Sequence, residues 1–179
     1  MSGLSVSSAA VCDGRRPELV KSLSEFDVII LSGGHVPTQN AFFEAISLDH
    51  YIRGFTGIVI GISAGTMNCA ITVYAHPELE GEAVDPDYQR YCKGLGLTEY
   101  MILPHYQKIK NDVLDGLRVF EDIAYPDSMG KRFYALCDGS YILQEGCCAV
   151  LRGEAYEIAD GVLTKISSDN DIVDLKELG

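Results

Sequence analysis

The chain has no tryptophan and few basic residues. Its 14 Lys and Arg stand against 26 Asp and Glu, which gives a formal net charge of −12, and no Lys/Arg cluster occurs along it. Nucleic-acid binding draws its affinity from basic patches that neutralise phosphates. We therefore expect no nucleic-acid partner.

Long apolar runs are lacking as well. No stretch approaches the ~18 apolar residues that a membrane-spanning helix needs. Residues 1–10 contain neither a basic region nor the long apolar core of a secretory signal. These patterns predict a cytoplasmic protein with no membrane partner.

The chain also lacks the spacings of metal sites and redox motifs. Its four histidines show no H-x-x-x-H pattern, and its six cysteines include no C-x-x-C pair. We expect buried, reduced thiols and neither a metal nor another cofactor. The cysteines in question are Cys12, Cys69, Cys92, Cys137, Cys147 and Cys148.

What the sequence does contain is the pattern of one α/β domain over residues 1–179, with an apolar fraction of 47%. Buried strands and helices alternate in its first half, which predicts a parallel, doubly wound sheet. The predicted strands are 4–11, 27–31 and 56–61, and the predicted helices are 17–25, 37–53 and 64–70. A long irregular loop over 72–100, a strand at 100–103, a helix at 111–123 and a strand at 132–136 follow. An antiparallel meander with strands at 141–143, 148–151, 155–158 and 162–166 is expected to end the chain, before frayed acidic residues.

Residues 61–65 match the G-x-S-x-G pattern of a nucleophile elbow. A serine on a sharp strand-to-helix turn needs nearly side-chain-free neighbours two positions before and after it. Its own hydroxyl then becomes accessible, so Ser63 is a candidate nucleophile. The N–H groups of Ala64 and of Gly34, in the glycine turn after the preceding strand, are candidate oxyanion donors. The alternative is an ordinary strand–turn–helix junction.

A serine nucleophile needs a base, usually a histidine that a carboxylate orients. His105 follows a predicted strand end and is the best candidate. His35 comes after the glycine turn and is placed to line a pocket, whereas His50 and His76 are expected at the surface.

Asp138, at another strand end, is the candidate acid. The alternatives remain open: Asp138 precedes Gly139 and would suit an ordinary turn, and the acidic loop offers Glu78, Glu80 and Glu82 as competing carboxylates.

Four motifs, in order and spacing, resemble the dipeptidase E (aspartyl dipeptidase) family of serine peptidases, to which cyanophycinases are related. The motifs lie at residues 29–34, 61–65, 103–106 and 136–141, and the match runs from about residue 4 to residue 166. The resemblance implies a three-layer α/β/α fold with a mainly parallel, flavodoxin-like sheet, similar to class I glutamine amidotransferases. It also implies the order Ser63, His105, acid, with Asp138 where the family usually has Glu. Gln39 matches a pocket glutamine that contacts substrate.

The chain departs from that family in two places. Family members carry a further β/α segment upstream of Leu4, so we expect the N-terminal strands to be missing and a strand edge to be exposed, unless a partner covers it. The resemblance therefore leaves open an N-terminally truncated form, a misplaced start or a partner that covers the edge. The family's aspartate-selecting arginine falls near residues 111–113, where none is present, and Lys108, Lys110 or Arg118 would have to replace it.

The predicted function is that of a serine exopeptidase acting on short peptides. Two alternatives stay open: a catalytically silent α/β module whose sheet edge docks a partner, and an esterase or amidase of the same fold. The sequence also leaves a homo-oligomer open.

Overall fold

The computed structural model describes residues 5–178, which form a mixed α/β fold. Its first part is a parallel pair of strands, β1 (Val28–Leu31) and β2 (Ile58–Gly61). A 3₁₀ helix (Pro17–Glu25) precedes β1, and α1 (Val36–Ala45) and α2 (Leu48–Ile52) connect the two strands. The predicted alternation of strands and helices is present here.

Two predicted elements of this part are wrong. Residues 5–11 form no strand, and Leu4, where that strand was predicted to begin, lies outside the described residues. The single helix predicted over 37–53 is divided at Ser47, whose left-handed backbone (φ 54°) cannot continue a right-handed helix.

The β1–β2 pair is covered on one face only, whereas β2 was predicted to be buried on both. Ile29 and Leu31 pack against α1 and α2. On the other face of β2, Ile58 and Ile60 are 62% and 42% exposed, and Ile30 of β1 is 60% exposed. The apolar run is therefore real, but no described element lies over this face.

The long loop predicted over 72–100 is more ordered than expected. Its ends form an antiparallel pair, β3 (Thr72–Tyr74) with β4 (Tyr91–Lys93). Residues 73–77 are all buried, since β3 packs into the main core. This burial fixes the start of the acidic segment 78–87.

The helix predicted over 111–123 is wrong in its first part. Residues 113–118 form a hairpin of β6 (Val113–Leu114) and β7 (Leu117–Arg118). Its two-residue turn, Asp115-Gly116, has positive φ at both positions (54° and 83°), as a type I′ turn requires. A π-helix (Val119–Ala124) and the short α5 (Tyr125–Asp127) follow.

The second half builds two further sheets. One has the order β12-β11-β8-β5, in which only β5 and β8 run parallel, and the other has the order β13-β10-β9. Their strands are β5 (Met101–Leu103), β8 (Arg132–Leu136), β9 (Tyr141–Glu145), β10 (Cys148–Arg152), β11 (Ala155–Ala159), β12 (Val162–Ser167) and β13 (Ile172–Asp174).

All four strands predicted for the tail form, but they belong to two sheets instead of one meander. The predicted fraying is wrong as well, because β13 pairs with β10 and Leu175 is buried. The parallel pairs β1–β2 and β5–β8 lie in separate sheets. The finer expectation of one flavodoxin-like sheet in three layers therefore stays a prediction.

The expectation of buried thiols is also wrong. All six cysteines are free; Cys147 and Cys148 are exposed, and the other four are only partly buried. In the part of the chain that the structure describes, no helix is long and apolar enough to cross a bilayer.

A fully buried amide anchors α3 (Ala64–Asn68), the helix after β2. Asn68 donates to the Val36 carbonyl (3.3 Å) and to Gln39 Oε1 (3.1 Å), and accepts from Asn40 Nδ2 (2.8 Å). Asn68→Ala removes all three contacts, including the one to the carbonyl of the buried Val36, so we expect it to lower the free energy of unfolding by about 1–3 kcal/mol.

Urea unfolding with an unchanged m-value measures this loss. The matched control is Asn170→Ala at an exposed position, which should stay within about 0.5 kcal/mol. Equal midpoints for the two variants would contradict the anchoring role.

Candidate active site

Ser63 lies on a strained turn between β2 and α3. Its φ of 54° and ψ of −120° are rare for a residue with a side chain. A Cβ on Gly61 would lie 2.7 Å from the Thr66 Cα, and one on Gly65 would lie 2.0 Å from the Leu31 carbonyl oxygen. Both glycines of the pentapeptide are thus required by the packing of the turn against its own helix and against β1.

His105 contacts Ser63 from the turn after β5, a strand that pairs in parallel with β8. It follows β5 with a left-handed backbone (φ 61°) and begins α4 (Tyr106–Ile109). Its Nε2 lies 3.0 Å from Ser63 Oγ, and its Nδ1 lies 2.5 Å from Asp138 Oδ1, in the turn after β8. Three turns that each follow a strand therefore bring a hydroxyl, an imidazole and a carboxylate into one chain of contacts.

Two residues of α4 hold Asp138 in place. Its backbone N–H donates to Gln107 Oε1 (3.0 Å), and its Oδ2 lies 2.6 Å from Lys108 Nζ. Lys108, and after it His105, lower the pKa of Asp138 to about 2. Sequence reasoning missed Gln107 and assigned Lys108 to a substrate role. Their position, two and three residues after His105, was the available signal.

Ala64 and the glycine turn after β1, the candidate oxyanion donors, both lie beside Ser63. Ala64 is the first residue of α3, where a helix offers its N–H no intrahelical acceptor. The glycine turn after β1 lies against the serine, because a Cβ on Gly33 would be 3.3 Å from Ser63 Cβ. Gly34 follows with a φ of 149°, a conformation that favours glycine.

Gln39 lies against the glycine turn, and its contact with substrate stays a prediction. Its Nε2 donates to the Ser32 carbonyl (2.6 Å) and its Oε1 accepts from Asn68. Both the NH₂ group and the carbonyl oxygen of its side-chain amide are therefore engaged, and they hold the glycine turn against α3.

His35 and the loop carboxylates form a separate contact. His35 Nε2 lies 2.8 Å from Glu82 Oε1, and its Nδ1 contacts Thr38 Oγ1 (2.8 Å). The other Glu82 oxygen accepts the N–H groups of Glu78 and Leu79 (2.9 Å each). Of the candidate acids, Asp138 is the one whose carboxylate contacts His105.

Comparison with known protein families fits this geometry. The model of peptidase family S51 matches residues 2–151. The chain belongs to peptidase family S51. The resemblance of this S51 chain to the dipeptidase E family is thereby confirmed. No curated protein matches it.

Twelve chains of solved structures also match. One is the 1.5 Å crystal structure of a candidate peptidase E protein from Listeria monocytogenes EGD-e, with a TM-score of 0.54 and 16% sequence identity. The match covers 84% of this chain and 65% of the Listeria chain. At this identity the likeness concerns the fold, and the S51 chain spans about two thirds of the other protein's length.

A cavity of about 330 Å³ opens beside Ser63 and His105 in this S51 chain. Its wall includes His76, Glu78 and Asp112, together with the aliphatic side chains of Ile109, Val113, Leu114 and Val119. His76 was expected at the surface but is only 7% exposed, and burial lowers its pKa to about 4. The exposed position predicted for His50 is confirmed.

The hairpin and the acidic segment that form this wall are joined by Asp115. Its carboxylate accepts the N–H groups of Gly81 (2.9 and 3.0 Å) and Ala83 (3.0 Å). Among residues 5–178, no group of three or more His, Cys, Asp or Glu is placed to hold a metal ion.

Proposed function

We propose that the protein is a serine exopeptidase that hydrolyses short peptides through Ser63, His105 and Asp138. The observation that carries this proposal is the 3.0 Å contact between Ser63 Oγ and His105 Nε2, with Asp138 2.5 Å behind the ring. Membership of peptidase family S51 supports it. A hydroxyl, a base and an orienting carboxylate in contact are the requirements of nucleophilic acyl transfer.

In the acylation step, Ser63 Oγ attacks the scissile carbonyl while His105 Nε2 takes its proton. The ionised Asp138 accepts from Nδ1–H, which fixes the productive tautomer and stabilises the imidazolium. The N–H groups of Ala64 and Gly34 receive the developing oxyanion. His105 then donates the proton to the leaving amine, the C–N bond breaks, and an acyl-enzyme on Ser63 remains.

In the deacylation step, water replaces the amine. His105 removes a proton from the water, the resulting hydroxide attacks the ester, and the collapse of the second tetrahedral intermediate returns the proton to Ser63 Oγ. The carboxylic acid leaves, so each cycle consumes one peptide bond and one water.

The size of the cavity supports the proposal of short substrates. Its volume of about 330 Å³ lies at the lower end of small-ligand sites, and the Asp115 contacts join the segment 76–83 to the hairpin 113–118 along its wall. A few residues of a peptide fit such a space.

Fluorophosphonate labelling tests the proposal directly. We expect one adduct, located by mass spectrometry on Ser63, and its loss when a dipeptide library that the enzyme cleaves is added in excess. Profiling of amide and ester substrates then separates a peptidase from an esterase or amidase, since the same triad serves all three. A folded protein that takes no label would contradict the proposal and favour the silent binding module.

A further inference from the structure

The cavity beside Ser63 is negatively charged and has no cation of its own. Glu78 and Asp112 contribute carboxylates to its wall, and among the described residues no lysine or arginine lines it. The nearby cations are engaged elsewhere: Lys108 lies 2.6 Å from Asp138, and Arg118 lies 2.6 Å from Asp122. None of the three basic residues that sequence reasoning offered as selectors of an acidic substrate, Lys108, Lys110 and Arg118, is among the residues that line this space.

The two carboxylates in the wall also lack partners. Within residues 5–178, neither the Glu78 nor the Asp112 side chain makes a hydrogen bond or an ion pair, although Glu82, in the same segment as Glu78, contacts His35. Burial raises the pKa of Glu78, with Glu82 adding to the effect and His35 opposing it. Both residues are exposed, so what distinguishes them is that neither carboxylate is paired within the described residues. An unpaired carboxylate on a cavity wall is stabilised by a cation that enters.

A third, independent feature points to a donor-bearing ligand. His76 is 93% buried, lines the same cavity, and its Nδ1 is buried without a partner. The low pKa of His76, about 4, leaves the ring neutral near pH 7, so it adds no positive charge that would balance the carboxylates. A neutral imidazole still has one acceptor nitrogen.

We propose that this cavity binds the positively charged group of the substrate residue on the acyl side of the scissile bond, which makes the enzyme selective for cationic peptides. Glu78 and Asp112 supply the counter-charge, and the aliphatic wall of Ile109, Val113 and Leu114 contacts the methylenes that carry the cation. The inference rests on the proposed function, because it needs the acyl group to sit on Ser63. Two sources have this chemistry: a basic side chain and a free amino terminus.

Four aminoacyl-coumarin amides separate these sources: lysyl, norleucyl, aspartyl and Nα-acetyl-lysyl. We expect the lysyl substrate to exceed the aspartyl one in kcat/KM by at least tenfold. A lysyl rate well above the norleucyl rate identifies the side chain, and a loss on acetylation identifies the amino terminus. Equal rates for all four, or a preference for aspartyl, would overturn the inference.

Glu78→Gln and Asp112→Asn should each lower kcat/KM for the preferred cationic substrate by about fivefold or more, and mainly through KM. The matched control is Asp87→Asn, which removes an exposed carboxylate of the same segment outside the cavity and should change neither constant. If both cavity variants matched this control, the assignment of the counter-charge would be wrong.

A binding experiment keeps the inference separate from the proposed function. By calorimetry, Ser63→Ala protein should bind lysinamide more tightly than N-acetyl-norleucinamide, which lacks both cations. If lysinamide binds more tightly but the wild type takes no fluorophosphonate label, the cation site is supported and the peptidase function is contradicted. If the wild type takes the label but the two amides bind equally, the peptidase function is supported and the cation site is contradicted.

Discussion

Ser63→Ala is expected to lower kcat/KM by at least about 10⁴-fold on every peptide that the wild type cleaves, because the acyl-enzyme cannot form without the hydroxyl. The variant removes one oxygen from an accessible turn and leaves the positions of Gly61 and Gly65 unchanged, so its thermal unfolding should match the wild type. The measurement is a discontinuous peptide-cleavage assay by mass spectrometry, at equal concentrations of folded protein.

The control for that change is Ser168→Ala, a serine at an exposed position, which should retain full activity. Asp138→Asn is the third variant to compare in the same assay. It keeps the shape of the side chain but no longer fixes the tautomer of His105, so we expect a loss in kcat of up to about 10⁴-fold. Wild-type rates in the Ser63 variant would exclude the serine mechanism, whatever the fold.

The pH dependence of the Asp138 carboxylate has a defined sign. Because Lys108 and His105 lower the pKa of Asp138 to about 2, its carboxylate is ionised throughout the physiological range, and what its contacts add to stability is lost only as the pH falls toward 2. The Asp138 carboxylate is therefore available to accept from His105 at any physiological pH. Lys108→Met removes the larger of the two causes, so we expect it to raise the pKa of Asp138.

The predictable part of the site is local in the sequence. The pentapeptide at 61–65 specifies its own turn, because only glycine fits at both ends of it. His105 and Asp138 were then placed by a general property of parallel strands, whose carboxyl ends share one edge. The contacts of His105 with Asp138 and with Ser63 agree with that reasoning, although the catalytic roles stay predictions.

The wall of the cavity was less predictable, because its elements depend on tertiary context. Val113, Leu114 and Leu117 are spaced as on a helix face, yet Asp115-Gly116 is also the strongest short hairpin signal, and the hairpin formed. His76 carries no local sign of burial. It is buried because β3, which precedes it, packs into the core.

The exposed face of β1–β2 shows a different limit. The composition of these strands indicated that they would be buried, and one face is buried against α1 and α2. What covers the second face cannot be derived from an apolar run, because coverage depends on other elements. Ile30 and Ile58 are therefore of a residue type typical of a core, yet they are exposed to solvent.

The elbow glycine after the nucleophile should be the most sensitive position of the turn. In Gly65→Ala the new Cβ would lie 2.0 Å from the Leu31 carbonyl oxygen, which already accepts the N–H of Ile62 at 2.9 Å. The Leu31 carbonyl is part of the backbone and cannot turn aside as a flexible side chain would, so α3 has to move away from β1. We expect a loss of at least about 3 kcal/mol in the free energy of unfolding, at or above the usual cost of overpacking.

Equilibrium urea unfolding measures this loss, and Gly54→Ala is the matched control, because a Cβ there meets nothing within 4 Å. The shift of α3 also carries Ala64 and Ser63 away from His105. Protein that remains folded should therefore react with fluorophosphonate far more slowly than the control does. A Gly65→Ala variant with the stability and labelling rate of Gly54→Ala would mean that Ser63 is held by something other than the contact between its helix and β1.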